Sequence, residues 1–257
     1  MKITSRQNPR VKALARLKTK RGRKDAGRFL VEGTREIARA LEGAEPVAFW
    51  LVPEALKPEE AALLEAHPDL PRFEVTPEVM EKIAYREHPG GLLLEARPRP
   101  SEQDALLEKD LYLVAVGLEK PGNLGAIFRS ADATGAGVIV ADAGLDPYNP
   151  NVIRASTGTV FTVPFLELSR EDTLAFLKER GAQRVAASPH AEATYWDLDY
   201  RPPTAFLIGP EAIGLSPAWL EAADARVQIP MAGRADSLNA SVTAALLLYE
   251  ARRQRRT

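Results

Sequence analysis

The stretch LYLVAVGLEKPGNLGAIFRSADATGAGVIV, residues 111–140, decides the fold. It begins with six apolar residues, Leu111–Val116, a run that is typical of a strand buried on both faces of a sheet. A helix is predicted from about Asn123 to Thr134, and a second apolar strand follows at Gly137–Val140. Because a helix connects the two strands, we expect them to be parallel neighbours in one sheet.

The rest of the C-terminal part repeats this alternation. Further strands are predicted at 160–165, 185–187, 205–208 and 226–229, and a long helix from about Ser237 ends the chain. Alternating strands and helices predict an α/β fold with a mostly parallel sheet covered by helices on both faces. Ligands of such sheets bind in loops beyond the carboxyl ends of the strands.

A proline-rich segment, Arg97-Pro98-Arg99-Pro100-Ser101, separates this part from a mixed α/β N-terminal part. Alternating prolines keep the backbone extended and interrupt both helix and sheet. We therefore predict two domains, residues 1–97 and 104–257, joined by a linker at 98–103.

Charge is distributed unevenly along the 257 residues, although the net charge is only −1. Residues 1–28 hold eleven bases and one acid, a net charge of +10, and the tail from Ala251 adds +4. The remainder therefore carries −15. The basic N-terminus predicts contacts with nucleic-acid phosphates, although a solvated basic helix is the alternative.

Several classes of protein are excluded. There is no cysteine, and the histidines His67, His88 and His190 are too far apart to suggest metal ligation, so no metal site is expected. The N-terminus lacks the apolar segment of a signal peptide, and no apolar run is long enough to span a bilayer. We therefore expect a soluble cytoplasmic protein without a membrane partner.

Three loops at predicted strand ends carry unusual residues. The first leads from Gly117 through Asn123, a possible helix cap, into the helix that carries Arg129. Small residues one turn before Arg129 would let a ligand or a second chain approach its guanidinium, but a surface ion pair with Asp132 is an equally acceptable interpretation. The second loop, 208–214, contains Glu211, which could cap a helix or hold a substrate group.

The third loop runs from Ile229 into the last helix. Ser237 is the predicted N-cap, which places Asn239 and Ser241 in the first helical turn, where polar ligands can bind; simple capping is the alternative. Further along, an apolar stripe predicts either core packing or a subunit interface. The stripe consists of Val242, Ala245, Leu246 and Tyr249.

Taken together, three motifs in this order favour the functional interpretation of these loops over simple capping or surface pairing. They are NLGAIFRSADATG at 123–135, IGPEAIGL at 208–215, and IPMAG at 229–233 followed by SLNAS at 237–241. Together they resemble the motifs of the SpoU/TrmH class of SPOUT RNA ribose 2′-O-methyltransferases. The N-terminal ITSRQNPRVK, with FLVEG after it, is similar to the substrate-binding domain of that family.

The resemblance implies a small ribosomal-protein-like α/β RNA-binding domain and a methyltransferase domain with a deep trefoil knot. It implies a homodimer that uses S-adenosylmethionine to methylate a ribose 2′-hydroxyl, with ribosomal RNA as the first choice of substrate. The alternatives are a transfer RNA methyltransferase, a non-catalytic RNA-binding paralogue and a small-molecule α/β enzyme.

The resemblance also implies roles for individual residues. The implied catalytic residues are Arg129, Asn123, Glu211, Ser237 and Asn239. The implied cofactor-binding residues, acting chiefly through backbone groups, are Gly209, Ile229 and Leu238. In the basic N-terminus we expect RNA contacts from Arg6, Arg10, Lys12 and Lys18.

Overall fold

The computed structural model describes residues 2–99, 103–142 and 144–256. The strands are β1 (Lys2–Ile3), β2 (Phe29–Glu32), β3 (Glu45–Leu51), β4 (Arg72–Val75), β5 (Leu92–Arg97), β6 (Leu111–Val116), β7 (Gly137–Ala141), β8 (Phe165–Leu168), β9 (Gln183–Ala187), β10 (Ala193–Thr194), β11 (Thr204–Ile208) and β12 (Ala225–Gln228). The α-helices are α1 (Pro9–Arg16), α2 (Lys20–Ala26), α3 (Thr34–Gly43), α4 (Pro58–Ala66), α5 (Pro77–Ile83), α6 (Gln103–Leu107), α7 (Pro121–Thr134), α8 (Pro150–Ala155), α9 (Arg170–Glu179), α10 (Pro217–Ala222) and α11 (Ala240–Gln254).

The chain divides into two compact units. Unit 1 comprises residues 1–100 and 146–162, and unit 2 comprises residues 101–145 and 163–257. The predicted linker 98–103 lies partly outside the described part of the chain, which omits residues 100–102, so the linker stays a prediction. The inclusion of 146–162 in unit 1 was not predicted, because the sequence pattern was assigned as one continuous C-terminal domain.

Unit 1 contains a mixed sheet in the order β1-β4-β3-β5-β2. Strands β1, β4 and β3 are parallel, whereas β5 runs antiparallel to both β3 and β2. The apolar faces of α1 and α5 bury Val11, Leu14, Val79 and Ile83 in the core of this unit. The amphipathic spacing of these residues explains why a short, strongly basic helix such as α1 remains folded.

Stacked aromatic rings hold the 146–162 segment against β2 within unit 1. The ring of Phe29 on β2 stacks on Tyr148 at 4.5 Å and on Phe161 at 5.6 Å between centroids. The strand predicted at 160–165 is therefore wrong: residues 159–161 form a 3-10 turn, and the strand begins only at Phe165. Burial of Phe161 in unit 1 overrides the local strand preference of this apolar run.

Polar contacts reinforce this attachment. The Arg23 side chain is 5% exposed, and its Nε lies 2.6 Å from Oδ2 of Asp146, while its Nη1 donates to the Leu17 carbonyl at 2.8 Å. Arg39 donates through Nη1 to the backbone carbonyl of Thr157 at 2.5 Å. A buried guanidinium with several acceptors is well compensated, so these contacts hold a defined geometry.

Unit 2 contains a sheet in the order β10-β12-β9-β11-β6-β7-β8, and every recorded pairing is parallel. The predicted α/β fold with a parallel sheet is thus confirmed. All residues of β6, β7 and β11 are buried, as expected for strands covered by helices on both faces. Helices α7 and α11 pack against each other.

Two helix starts in unit 2 differ from the prediction. Helix α7 begins at Pro121, which is preorganised for the first helical position, so Asn123 lies inside the helix rather than capping it. Helix α11 begins at Ala240, and its N-cap is Asn239, not Ser237. The Asn239 Oδ1 accepts from the Ser241 amide at 2.9 Å, which satisfies one of the free donors of the first turn.

Among the described residues, no helix is both long and apolar enough to cross a membrane. Within the same ranges, no group of three or more histidine, aspartate or glutamate residues is arranged to hold a metal ion.

Candidate active site

The start of α7 after β6, the loop after β11 and the start of α11 meet at the carboxyl edge of the unit 2 sheet. Asn123 donates through Nδ2 to Glu211 Oε1 at 3.1 Å, and its own Oδ1 accepts from Asn239 Nδ2 at 3.0 Å. Asn239 Nδ2 also donates to Glu211 Oε1. Three of the five predicted catalytic residues therefore form one hydrogen-bonded triangle, although they are 88 and 116 residues apart.

Glu211 is the acceptor at the centre of this network. Its Oε1 also accepts from the Ala240 amide at 3.3 Å, and its Oε2 accepts from the Lys120 ammonium. The hydrogen bond from Lys120 holds the pKa of Glu211 below its ordinary value, helped by the Ala240 and Asn123 donors and opposed by partial desolvation. Glu211 is therefore ionised at neutral pH and is a weak base, and it loses these bonds only as the pH falls through its lowered pKa.

A cavity of about 340 Å³ lies beside the network and wholly within unit 2. Its walls include all three residues that the resemblance implied for the cofactor: Gly209, Ile229 and Leu238. Apolar side chains such as Leu215 and Leu247 complete the cavity walls. This volume lies within the roughly 300–1,000 Å³ typical of small-molecule sites.

The loop at Gly209 is tightly folded. A Cβ at this position would lie 2.6 Å from the carbonyl carbon of Gly214 and 2.7 Å from the amide nitrogen of Leu215, both backbone atoms that cannot rotate away. Only glycine therefore lets this loop close on itself at the cavity wall.

Arg129 and Ser237 are not part of the triangle. Both side chains are exposed, and within the described residues Arg129 has no hydrogen bond or ion pair, so the surface pair with Asp132 is not formed. Six residues of α-helix separate Arg129 from Asn123, which turns the two side chains about 120° apart and shifts them by about 9 Å. Their catalytic roles stay predictions.

Two residues of this site were not predicted from the sequence. Lys120 pairs with Glu211, and the available signal was a lysine immediately before the helix-starting Pro121 in a strand-end loop. His190 lines the cavity from the loop after β9. That loop has no distinctive composition, so only the tertiary structure shows its position.

The predicted RNA-binding residues lie in unit 1. Arg6, Arg10 and Lys12 are exposed, so a polyanion can reach them, although the Arg10 guanidinium also lies over the Phe73 ring at 5.0 Å from its centroid. Lys18 is only partly exposed, and burial lowers the pKa of its amine below the ordinary value. Their RNA contacts stay predictions.

Two other bases of the N-terminal run serve the fold instead. Arg23 is buried against Asp146. Arg28 lies 2.6 Å from Glu95, whose second carboxylate oxygen accepts from the Trp50 indole at 3.1 Å. The net charge of +10 therefore overstates the charge available to a polyanion.

In unit 2, loops at the ends of parallel strands form an apolar cavity beside a carboxylate–amide network. These features are typical of α/β proteins that bind a small molecule at the carboxyl edge of the sheet. The SpoU rRNA methylase family matches residues 110–249 of this chain, and an MRM3-like substrate binding domain matches residues 8–94. The chain belongs to the SpoU rRNA methylase family.

Relatives of known name agree with this assignment. The chain is 36% identical to the 23S rRNA (uridine(2479)-2′-O)-methyltransferase of Streptomyces viridochromogenes, over 99% of this chain and 92% of that protein. It is similar to the crystal structure of the SpoU methyltransferase AviRb from that organism in complex with AdoMet, with a TM-score of 0.88 and 31% identity over 98% of this chain and 99% of that one. A crystal structure of an RNA 2′-O ribose methyltransferase is 50% identical over the full length of both chains, with a TM-score of 0.84.

Proposed function

We propose that this protein is an S-adenosylmethionine-dependent methyltransferase that methylates a ribose 2′-hydroxyl of ribosomal RNA. The observation that carries this proposal is the Asn123–Glu211–Asn239 triangle beside the cavity of unit 2, in a chain of the SpoU rRNA methylase family. Since ribosomal RNA is the substrate class named for its relatives, we place its action in the cytoplasm.

The cavity suits S-adenosylmethionine. Ile229, Leu238 and Leu247 offer apolar surface to an adenine ring, and the Gly209 loop brings backbone groups to the wall without a side chain in between. Asp236 lies at the same cavity and favours a cationic ligand. When bound, S-adenosylmethionine would supply an electrophilic methyl group on its sulfonium.

We assign to Arg129 the stabilisation of the negative charge that develops on the ribose oxygen. A ribose hydroxyl is a poor nucleophile, and a guanidinium stays protonated at any physiological pH, so it cannot accept the hydroxyl proton. It can hold an RNA phosphate and stabilise the developing alkoxide while the methyl group would pass from the sulfonium sulfur to the ribose oxygen, which leaves a neutral thioether and releases the hydroxyl proton to solvent. Arg129 is exposed and unpaired within the described ranges, so this guanidinium is available for such contacts.

The triangle is assigned to positioning. The lowered pKa of Glu211 makes it a poor base, so its carboxylate holds the two asparagine side chains and the start of α11 in place. Ser237 lies at the cavity, two residues before the α11 N-cap, where its hydroxyl can contact the ribose.

Unit 1 is assigned to RNA binding. Arg6, Arg10, Lys12 and Lys18 provide positive charge there, and the matched substrate-binding domain covers residues 8–94. We propose that residues 1–97, with a ribosomal-protein-like fold, bind the substrate, and that residues 104–257, apart from 146–162, form the methyltransferase domain.

We propose that the protein works as a homodimer. On α11, Val242 and Tyr249 are 45% and 54% exposed, whereas Ala245 and Leu246 are partly buried, so the described residues leave part of the apolar stripe open to solvent. Arg129 lies on a different side of α7 from Asn123, and a second copy could bring its own Arg129 to the site. Light scattering at micromolar concentration is expected to give twice the mass of 28.1 kDa.

We also propose that unit 2 contains the deep trefoil knot of the family. In support, Ile229, Leu238 and the loop 209–215 line one cavity, and Asn239 donates a hydrogen bond to Glu211 in that loop. A crystal structure is expected to show the chain after β12 passing through this loop. A segment that lies over the loop without passing through it would overturn the knot.

Methyl transfer is tested with radiolabelled S-adenosylmethionine and transcripts of ribosomal and transfer RNA. The expected product is a 2′-O-methylated nucleoside in ribosomal RNA, recognised because the methylated position resists alkaline hydrolysis. Product in transfer RNA alone would overturn ribosomal RNA as the substrate. Absence of S-adenosylmethionine binding in calorimetry would overturn the methyltransferase assignment.

Gly209→Ala is expected to weaken S-adenosylmethionine binding about tenfold or more, because the new Cβ forces the loop away from the backbone of Gly214 and Leu215. Gly233→Ala is the matched control, since a Cβ there meets nothing within 4 Å. Isothermal titration measures both variants. Equal affinities for the two variants would show that the tight Gly209 turn does not shape the cofactor site.

A further inference from the structure

A second cavity, of about 350 Å³, lies wholly within unit 1. It shares no residue with the unit 2 cavity. Its walls come from the end of β2, the loop after α5 and helix α8, and include Glu32, Tyr85, Arg86 and Arg154. Neither the predicted RNA contacts nor the assigned catalytic residues include any of these four.

Hydrogen bonds to the Glu32 carboxylate hold the loop that carries Tyr85 in place. The Glu32 carboxylate, at the end of β2, accepts from the backbone amide of Tyr85 and from that of Arg86 at 3.2 Å. The Glu32 side chain is largely buried, and the two amide donors and the nearby Arg86 guanidinium compensate its negative charge. The loop is therefore fixed before any ligand arrives, which lowers the entropic cost of binding.

The Tyr85 ring is exposed yet held. The residue is 46% exposed, and its hydroxyl accepts from Asn151 Nδ2 at 3.0 Å. An aromatic ring that is held at both ends but remains open to solvent is a platform on which a nucleic-acid base can stack.

Two arginines line the same cavity as this ring, together with the exposed carboxylate of Glu87. Arg154 at the end of α8 is exposed, and within the described residues its side chain has no hydrogen bond or ion pair. Arg86 is partly exposed, its Nε lies 3.9 Å from the Glu32 carboxylate, and its Nη2 donates to the Glu32 backbone carbonyl at 3.5 Å, a long contact that leaves its other donors open to a ligand. Guanidinium groups bind phosphate in a bidentate manner, so a base on Tyr85 would have phosphate-binding groups next to it.

We propose that this cavity binds one unpaired nucleotide of the RNA substrate, with its base stacked on Tyr85 and its phosphate held by Arg154 and Arg86. This site rests on the proposed function, because it identifies a single-stranded segment as part of what unit 1 recognises. Bases in a continuous duplex are stacked on each other and cannot reach the ring.

The test uses fluorescence anisotropy with a fluorescein-labelled 12-nucleotide single-stranded RNA of mixed sequence, and the same strand in a duplex. Tyr85→Ala is expected to weaken single-strand binding about tenfold, with little change for the duplex. Arg154→Ala is expected to lower the slope of log affinity against log salt by about 0.7, the value of one phosphate contact on a single strand.

Two matched variants separate binding from folding. Tyr85→Phe keeps the ring and is expected to bind within about twofold of the wild-type protein, since stacking needs no hydroxyl. Arg97→Ala removes an exposed arginine of the same unit that is already paired with Glu45 at 3.0 Å, and it should leave the salt slope unchanged. Circular dichroism confirms that all variants are folded.

Several results would overturn the site. These are wild-type affinity in Tyr85→Ala, equal losses in Tyr85→Phe and Tyr85→Ala, equal slopes in Arg154→Ala and Arg97→Ala, or no binding of the single strand by the wild-type protein. Titration of the same samples with S-adenosylmethionine separates the two proposals. Cofactor binding without an effect of Tyr85→Ala overturns the site alone, and a Tyr85-dependent RNA affinity without cofactor binding overturns the methyltransferase assignment alone.

Discussion

Arg129→Ala is expected to reduce methyl transfer by at least about 10²–10³-fold while S-adenosylmethionine binding is preserved. Arg129 does not line the unit 2 cavity, so its removal leaves the cofactor walls unchanged. What is lost is the cation to which we assign stabilisation of the alkoxide and binding of the RNA phosphate. Single-turnover methylation and calorimetry measure the two effects separately, and near-normal turnover would remove Arg129 from the mechanism.

The proposed dimer gives this prediction a second part. If Arg129 of one copy serves the site of the other, a heterodimer of Arg129→Ala and Asn239→Ala subunits contains one complete site. Co-expression with two different tags and purification on both should yield about half of the wild-type turnover, although each parent homodimer is inactive. A heterodimer as inactive as its parents would assign Arg129 to the site of its own subunit.

Arg23→Ala is expected to lower the free energy of unfolding of unit 1 by about 3–5 kcal/mol, because it leaves the Asp146 carboxylate largely buried without its partner. Urea denaturation followed by circular dichroism measures this loss. Arg21→Ala is the matched control, since Arg21 lies on the same helix α2 and its pair with Asp25, at 3.5 Å, is exposed. Removal of such a pair should cost at most about 0.5 kcal/mol.

A double-mutant cycle sharpens the result. If Arg23 and Asp146 stabilise each other, the variant with both changed to alanine should lose less than the sum of the two single losses. Strictly additive losses, or a loss in Arg23→Ala no larger than in Arg21→Ala, would show that this pair does not hold the 146–162 segment to unit 1.

Much of unit 2 was predictable from local sequence. The apolar run Leu111–Val116 and the small-residue helix after it follow from periodicity, because a strand covered on both faces has to be apolar along its length. Loops at the carboxyl ends of parallel strands lie at one edge of the sheet, so a meeting of Asn123, Glu211 and Asn239 was a reasonable expectation.

The details of that meeting were not predictable. Ser237 was predicted as the cap of the last helix, but Asn239 takes this place because its carboxamide can satisfy the Ser241 amide while donating to Glu211. The role of Lys120 depends on a partner 91 residues away. Helix propensities describe neighbours within a few residues and contain no information about such contacts.

The amino-acid sequence alone was enough to establish the α/β class, the basic N-terminus and the family, since each depends on the order and periodicity of residues along the chain. The folded structure was needed to show that 146–162 packs with unit 1, that Arg23 is buried, and that Tyr85 and Arg154 line one cavity. The physical reason is that burial and pairing arise between residues far apart in sequence, and their energies can exceed the local preferences of the chain.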